Sequence, residues 1–329
     1  SGTSPGAMVE VHDLARSFGD IEAVKGISFD IAEGEIFGFL GPNGAGKTTT
    51  INMLCTLLRP SAGSAVLNGF DVQRDRSDVR RSIGLVFQQP TLDEYLTAEQ
   101  NLRFHAYAYG LDRTSSDARM RELLEMVELW DRRSTPVRNY SGGMKRRLEI
   151  ARGLLHLPRV LFLDEPTLGL DPQTRRSIWN YLLELREREH LTIFLTTHDM
   201  DEAEHADRIA VIDHGEIAAL DSPAGLKAMV GGDLITVGTP DLDAAVAELS
   251  GRFDIEAARS DDALTFRVDA GESFLPEFVR GFGQPISSIG LRQPTLDDVF
   301  LEVTGHEIRD EELSEYDQMV QNMGRGPRH

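Results

Sequence analysis

Gly41-Pro42-Asn43-Gly44-Ala45-Gly46-Lys47-Thr48 places glycines, a lysine and a hydroxyl in the spacing G-x-x-x-x-G-K-[ST]. That set of residue types suits a chain of phosphates, which carries several negative charges and needs many donors at short range. Glycine lets the backbone fold tightly enough for successive N–H groups to point inward. A helix beginning near Lys47 turns its positive end to the same point. Lys47 supplies a point charge to the outer phosphates, and Thr48 offers a hydroxyl to Mg²⁺, a hard cation that prefers oxygen.

A second group lies more than a hundred residues further on. Val160-Leu161-Phe162-Leu163-Asp164-Glu165 is an apolar run ending in two acids. A carboxylate at the end of a strand beside the phosphate loop suits Mg²⁺, which is the role expected of Asp164. Glu165, one residue closer to the terminal phosphate, is placed to orient and polarise an attacking water. Without the phosphate loop, the two acids before Pro166-Thr167 would read as no more than a turn.

These residues need strands and helices to hold them. Val9–Leu14, Glu22–Ile31 and Glu35–Leu40 read as strands, the last apolar on both faces as a buried central strand is. A helix is predicted from Lys47 to about Leu58. Thr97–Tyr109, Ser116–Leu129 and Ser141–Leu155 have helical spacing with charged faces and read as a helical insertion. Arg159–Leu163, Leu191–Thr196 and Ile209–Asp213 return to strand, with a helix over Pro172–Glu189. Strands alternating with helices imply a largely parallel α/β sheet. A boundary is expected near 221–232. Beyond it the order strand, helix, strand, strand, helix, strand matches a ferredoxin-like unit, with strands at Leu234–Val237, Phe253–Ala257, Leu264–Val268 and Ile286–Leu291. A short helix over Thr295–Val303 closes it.

Bulk properties narrow the function. The chain has 329 residues, 40% of them hydrophobic, and carries 54 acidic against 34 basic side chains for a formal net charge of -20. Such a balance disfavours coating nucleic acid, which needs a positive surface. The single cysteine, Cys55, allows no internal disulfide and reads as a small buried hydrophobe. No apolar run approaches the ~20 residues of a membrane-spanning helix. Residues 1–7 look like a cleavage scar ahead of Met8, and the charged stretch 305–329 reads as a tail. Lys145-Arg146-Arg147 is a basic cluster best read as a solvated helix face rather than a contact for phospholipid.

Between the two chemical groups lies Tyr140-Ser141-Gly142-Gly143-Met144. With it the chain resembles the nucleotide-binding domains of ABC transporters, whose signature usually runs Leu-Ser-Gly-Gly-Gln. Tyr140 and Met144 depart from that pattern, while the Ser-Gly-Gly core is intact. Ser141 and the two glycines open a helix, so their N–H groups and its dipole make a second phosphate site. Read alone, Ser-Gly-Gly is a helix cap. Other positions fit the family in order. Gln88 matches the glutamine that contacts Mg²⁺ and feels the helical insertion, with Gln89 an adjacent alternative. Leu168-Gly169-Leu170-Asp171 resembles the D-loop, with leucine where serine is common. His198 matches the switch histidine that contacts the γ-phosphate, and Phe18 the aromatic that stacks on adenine. The resemblance covers about residues 8–230. Leu291–Leu301 further resembles the closing segment of daunorubicin/doxorubicin-resistance-type exporter ATPases.

The resemblance implies an α/β P-loop NTPase sheet over 8–230 with a helical subdomain at about 93–157, and the order of elements read above adds a small α+β ferredoxin-like domain over 231–304. It implies ATP and Mg²⁺ as ligands. Glu165 and His198 are the catalytic candidates, and Thr48, Gln88 and Asp164 the metal candidates. Nucleotide contacts fall to Phe18, Gly41–Thr48, Thr49, Gln88, Ser141, Gly142, Gly143 and Asp171. The implied partners are a second copy bound head to tail and a separate membrane permease, which puts the chain on the inner face of the cell membrane. Two competing readings are a soluble ABC ATPase acting on ribosomes or DNA, and an ATP-binding regulator that does not hydrolyse. The first is disfavoured by the acidic charge and the second by Glu165 and His198.

Overall fold

The computed structural model describes residues 7–260 and 262–306. Residues 1–6, most of the expected scar, and 307–329, most of the expected tail, lie outside it. The chain packs as two compact units, one reaching Leu220 and one starting at Asp221.

In chain order the first unit runs β1 (Ala7–Phe18), β2 (Ile21–Ala32), β3 (Ile36–Leu40), α1 (Lys47–Leu54), β4 (Ala62–Leu67), β5 (Phe70–Asp71), α2 (Arg76–Ser82), β6 (Ile83–Val86), α3 (Ala98–Ala108), α4 (Arg113–Met126), α5 (Gly142–Leu154), β7 (Val160–Asp164), α6 (Pro172–Glu189), β8 (Thr192–Thr197), α7 (Met200–Ala203), β9 (Arg208–Asp213) and β10 (Glu216–Asp221). One sheet has the order β10-β9-β3-β8-β7-β6, and a second the order β2-β1-β4-β5. The ladders β9-β3, β3-β8, β8-β7 and β7-β6 are all parallel.

Every residue of β3, β7 and β8 is buried, as expected where both faces of a parallel sheet are covered. Phe29 of β2 stacks on Phe37 with ring centroids 5.1 Å apart, and Phe39 and Phe162 lie 5.5 and 5.3 Å from Phe194. These rings weld the antiparallel sheet to the parallel one, and such pairs add roughly 0.5–1.5 kcal/mol each beyond area burial. Register then aligns the strand ends: Leu40 pairs with Thr197, Asp164 with Thr196 and Val86 with Leu163. The carboxyl ends of four neighbouring strands therefore deliver Gly41, Gln88, Glu165 and His198 to one edge, where parallel α/β sheets place their ligands.

The helical segment is held by side-chain caps. Thr97 and Gln100 form a capping box at α3, Asp112 caps α4 by accepting from Ser115 N–H, and Ser141 caps α5 by accepting from Met144 N–H. Between the helices, Leu102, Met120, Leu123, Leu124 and Leu148 are buried.

The second unit runs α8 (Pro223–Met229), β11 (Asp233–Gly238), α9 (Leu242–Glu248), β12 (Ala258–Ser260), β13 (Ala263–Val268), α10 (Gly271–Gly281), β14 (Ser288–Arg292) and α11 (Leu296–Thr304). Its sheet has the order β12-β13-β11-β14 with antiparallel ladders. Counted from β11 this is 4-1-3-2, the ferredoxin-like arrangement. Ile235, Val237, Leu264, Phe266 and Phe278 fill its core.

Three local expectations differ from the structure. The helix after the phosphate loop stops at Leu54 rather than Leu58, because Cys55 caps it and Thr56 adopts φ +63°. The strand expected over Phe253–Ala257 is displaced to Ala258–Ser260: Phe253 is drawn into a ring cluster with Phe274, Phe278 and Phe282, and Asp254 turns the chain at φ +56°. Strands β4, β5, β6 and β10 are additions to the expected set. Of these, β6 has only four residues, one of them Gly84, and follows α2 without a turn residue.

Candidate functional site

The phosphate loop joins β3 to α1. Gly41 N–H donates to Thr197 O at 3.2 Å, and Gly215 N–H donates to Ala45 O at 3.1 Å, which anchors the loop on two sides. A Cβ on Gly41 would lie 2.2 Å from Ile212 O, and one on Gly46, where φ is +104°, would lie 2.6 Å from Ala23 O. Only glycine fits either place, and the result is a cradle whose floor is backbone. Gly44 also has positive φ, at +81°. Pro42 and Asn43 line the outer turn, and Thr49 and Thr50 are buried on α1. Lys47 Nζ donates to Gly41 O at 2.7 Å and Pro42 O at 3.0 Å, so the ammonium curls over the loop.

Around Lys47 the other strand ends converge. Its Nζ lies 3.6 Å from Glu165 Oε1. His198 Nδ1 is 3.1 Å from the same Oε1, and Gln88 Nε2 donates to Glu165 Oε2 at 2.9 Å. Both carboxylate oxygens of Glu165 are thus engaged. Asp164 accepts from Thr196 Oγ1 at 2.5 Å and from Thr48 Oγ1 at 3.2 Å. The structure therefore brings together Lys47, Thr48, Gln88, Asp164, Glu165 and His198, six residues spread over the length of the first unit. It is Gln88, and not its neighbour Gln89, that bonds to Glu165.

The two carboxylates are tuned apart. Burial pushes Asp164 up, the Glu165 charge adds to that, and the Thr196 and Thr48 hydroxyls with Lys47 offset part of it. Burial acts on Glu165 in the same direction, but the His198 hydrogen bond and the Lys47 ammonium outweigh it and hold Glu165 below its ordinary value. Glu165 is thus kept ionised and able to accept a proton. Its backbone is held at φ +47°, a left-handed conformation unusual for glutamate, and its N–H donates to Thr196 O at 3.1 Å.

Comparison with known proteins places this arrangement. A family model described as ABC transporter matches residues 24–168. The daunorubicin resistance ATP-binding protein DrrA2 of Streptomyces coeruleorubidus is 40% identical over 323 residues, covering 94% of this chain and 99% of that protein. The doxorubicin resistance ATP-binding protein DrrA of Mycobacterium tuberculosis is 41% identical, covering 90% and 93%. The chain belongs to the ABC transporter ATP-binding proteins. Among solved structures, a dimeric ATP-binding cassette in a post-hydrolysis state bound to ADP and Pi superposes with TM-score 0.60 at 30% identity, covering 65% of this chain and 98% of that one. The cbiO1 subunit of an ABC transporter from Clostridium perfringens gives 0.64 at 28%, covering 76% and 96%. This ABC protein is accordingly an ATPase, the ATP-binding and ATP-hydrolysing subunit of a transporter. Among the described residues no helix is long and apolar enough to cross a membrane.

The remaining expected residues of the ABC site lie elsewhere on the first unit. Ser141 and Gly142 are exposed at the head of α5, and a Cβ on Gly143 would lie 2.4 Å from Thr174 Cγ2. Asp171 caps α6, accepting from Thr174 N–H at 3.0 Å and Thr174 Oγ1 at 2.6 Å. The Ser141–Gly143 segment and the Leu168–Asp171 segment are therefore neighbours, and Leu168 N–H donates to Glu165 O at 3.4 Å. Phe18 ends β1, half-buried, with the Arg16 guanidinium 4.5 Å from its ring centroid.

One sequence expectation is corrected. Of the basic cluster, Lys145 pairs with Glu94 and Arg147 with Glu128, but Arg146 is only 6% exposed. It donates to the carbonyls of Phe87, Asp164, Glu165 and Pro166. Helical spacing is the signal that could have found it, because Arg146 shares a face with Gly143 and Ile150, both buried. Sequence reasoning also misses Thr196, which holds Asp164, and Glu202, a buried acid that accepts from Thr167 Oγ1 just before the D-loop.

Proposed function

We propose that this chain works as half of an ATP-operated clamp, pairing head to tail with a second copy. The phosphate loop of one chain and Ser141–Gly143 of the other then hold a single ATP. The observation that carries this reading is the exposure of Ser141 and Gly142 at the head of a 13-residue helix, on an element separate from Lys47 and Glu165. N–H groups at such a helix end are suited to a phosphate that arrives from outside.

Within each site the chain's own residues divide the work. Phe18 stacks on the base. The loop N–H groups and Lys47 hold the phosphates. Glu165 accepts the proton of the attacking water as the water oxygen bonds to the γ-phosphorus. The bond to the β,γ-bridging oxygen breaks, and its electron pair leaves with ADP. His198 and Gln88 keep the Glu165 carboxylate aimed at that water. Thr48, Asp164 and Gln88 offer a hydroxyl, a carboxylate and an amide oxygen, a hard-oxygen set that fits Mg²⁺. Bound there, Mg²⁺ would neutralise charge on the β- and γ-phosphates.

ATP binding stabilises the closed pair and hydrolysis lets it open, so the nucleotide shifts a conformational equilibrium. The helical segment α3–α5 passes this motion to a separate membrane permease on the inner face of the cell membrane. Relatives named for daunorubicin and doxorubicin resistance support export of a cytotoxic small molecule. The test is Glu165→Gln. Its turnover should be nearly abolished while ATP-bound dimers persist on size exclusion. Wild-type hydrolysis by that variant would remove Glu165 as the base.

A further inference from the structure

Arg146 uses every N–H bond of its guanidinium inside the protein. Nε donates to Pro166 O at 2.6 Å, Nη2 to Asp164 O at 2.9 Å and Glu165 O at 3.1 Å, and Nη1 to Phe87 O and to Glu149 Oε2 at 3.4 Å. Five donors meet five acceptors, the full capacity of an arginine. With none left over for a phosphate, Arg146 is not a nucleotide ligand. Four of its acceptors are main-chain carbonyls that border Gln88 and Glu165.

The next turns of α5 continue the pattern. Glu149, 0% exposed, accepts from Thr91 N–H at 2.7 Å and Thr91 Oγ1 at 3.3 Å. Arg152 donates to Thr91 O at 3.1 Å and Thr91 Oγ1 at 2.5 Å. The loop that carries Gln88 is thereby gripped on both sides, at Phe87 and at Thr91, by one face of one helix. The head of that helix is Ser141-Gly142-Gly143.

We propose that Arg146 and Glu149 are positioning residues for hydrolysis. They hold Gln88 against Glu165 in the geometry that orients water, and they tie that geometry to the placement of the signature at the head of α5. The helix is a rigid rod, so a shift of its N-terminus on a partner's phosphate moves the Arg146 donors as one body. A site that tolerates only small misplacement then changes its rate without changing its affinity for nucleotide. A lysine in place of Arg146 has three donors on one nitrogen and cannot bridge carbonyls of two loops.

The inference rests on the roles given above to Glu165 and Gln88, and the experiment separates the two. Arg146→Lys, Gln88→Ala, their double variant and Glu165→Gln are purified as full chains, and ATP turnover and binding of a fluorescent ATP analogue are measured. Arg146→Lys should lower kcat by about 10- to 100-fold, the order expected for misplacing reacting groups by about an ångström. KM and analogue affinity should stay within about two-fold, and in the Gln88→Ala background most of the Arg146→Lys penalty should vanish, since the two act as a unit. A residue that merely stabilised the fold would give neither the split nor the coupling. Unchanged kcat, kcat and affinity falling together, or penalties that multiply in full would each overturn the proposal. If Arg146→Lys does not fold, Arg152→Met, which frees only the Thr91 side, decides in its place: kcat lowered at constant KM upholds the clamp, and wild-type kcat overturns it. Glu165→Gln with wild-type turnover would instead remove the underlying reading.

Discussion

His198 Nδ1 stands 3.1 Å from Glu165 Oε1, and the same oxygen lies 3.6 Å from Lys47 Nζ. One carboxylate oxygen thus faces both the end of the neighbouring strand and the phosphate loop. Its position depends on both, and so does the direction in which Glu165 can accept a proton.

His198→Ala should therefore leave ATP binding largely intact and cut turnover. The expected loss in kcat is about 10²-fold, in the range for a misdirected general base. Single-turnover hydrolysis with excess enzyme measures it. A loss confined to KM would show that His198 only binds substrate.

The pH profile should carry the mark of the same contact. Glu165 is held below the ordinary value of 4.5, so it remains ionised down to and below that pH. The acid limb of kcat belonging to this carboxylate should then lie under pH 4.5. His198→Ala removes the hydrogen bond that does most to lower it, so the limb should move toward higher pH. An unshifted limb would count against the assignment.

Gly143 makes a steric prediction. Gly143→Ala puts a methyl 2.4 Å from Thr174 Cγ2, which should disturb the head of α5 and abolish ATP-induced pairing while the phosphate loop still binds ATP. Adding Thr174→Ser removes the offending methyl and should restore pairing by several-fold, because overpacking of this kind costs roughly 1–3 kcal/mol. Light scattering with the Glu165→Gln background as the trap reads the result. No recovery in the double variant would mean that the glycine is needed for its backbone.

A cluster away from the catalytic residues contributes to acid stability. His105 packs against Tyr109 and His156, and burial, with Arg152 and His156 nearby, lowers it to about 4 from 6.5. Between those two values the unfolded chain binds more protons than the folded one. Stability that is present above pH 6.5 is therefore lost as the pH falls toward 4. His105→Leu should flatten that decline by on the order of 1–3 kcal/mol. Melting temperatures at about pH 7.5 and pH 5, on either side of the ordinary histidine value, check it, and parallel curves for the two proteins would refute it.

Much of the site is legible because each part sits where an apolar strand ends. The run into Gly41, the run into Asp164-Glu165 and the run before His198 all announce buried parallel strands, and chemistry at their carboxyl ends is a general property of such sheets. Gln88 is legible only through resemblance, since β6 is an apolar run of just four residues, interrupted by Gly84 and too short to announce a strand by itself. Arg146 reads as solvated because Lys145 and Arg147 flank it. Helical spacing puts it on the buried face with Gly143 and Ile150, but the carbonyls that satisfy its donors come from loops about 20 and 60 residues away in sequence, which no local pattern encodes. Phe253 misleads in the opposite sense, because it alternates with Ile255 as a strand would yet packs among the phenylalanines of α10.

The left-handed backbone of Glu165 carries one more consequence. A non-glycine residue at φ +47° forfeits about 1 kcal/mol or more, while glycine or asparagine would sit there at ease. Those residues would, however, forfeit the ion pair with buried Lys47 and the bonds to His198 and Gln88, and taking one partner from a buried pair is costly. Strain in the main chain and attraction between side chains thus oppose one another at this position. The bent backbone is held in place by the same contacts that aim the carboxylate, so a variant that relaxes the one loosens the other.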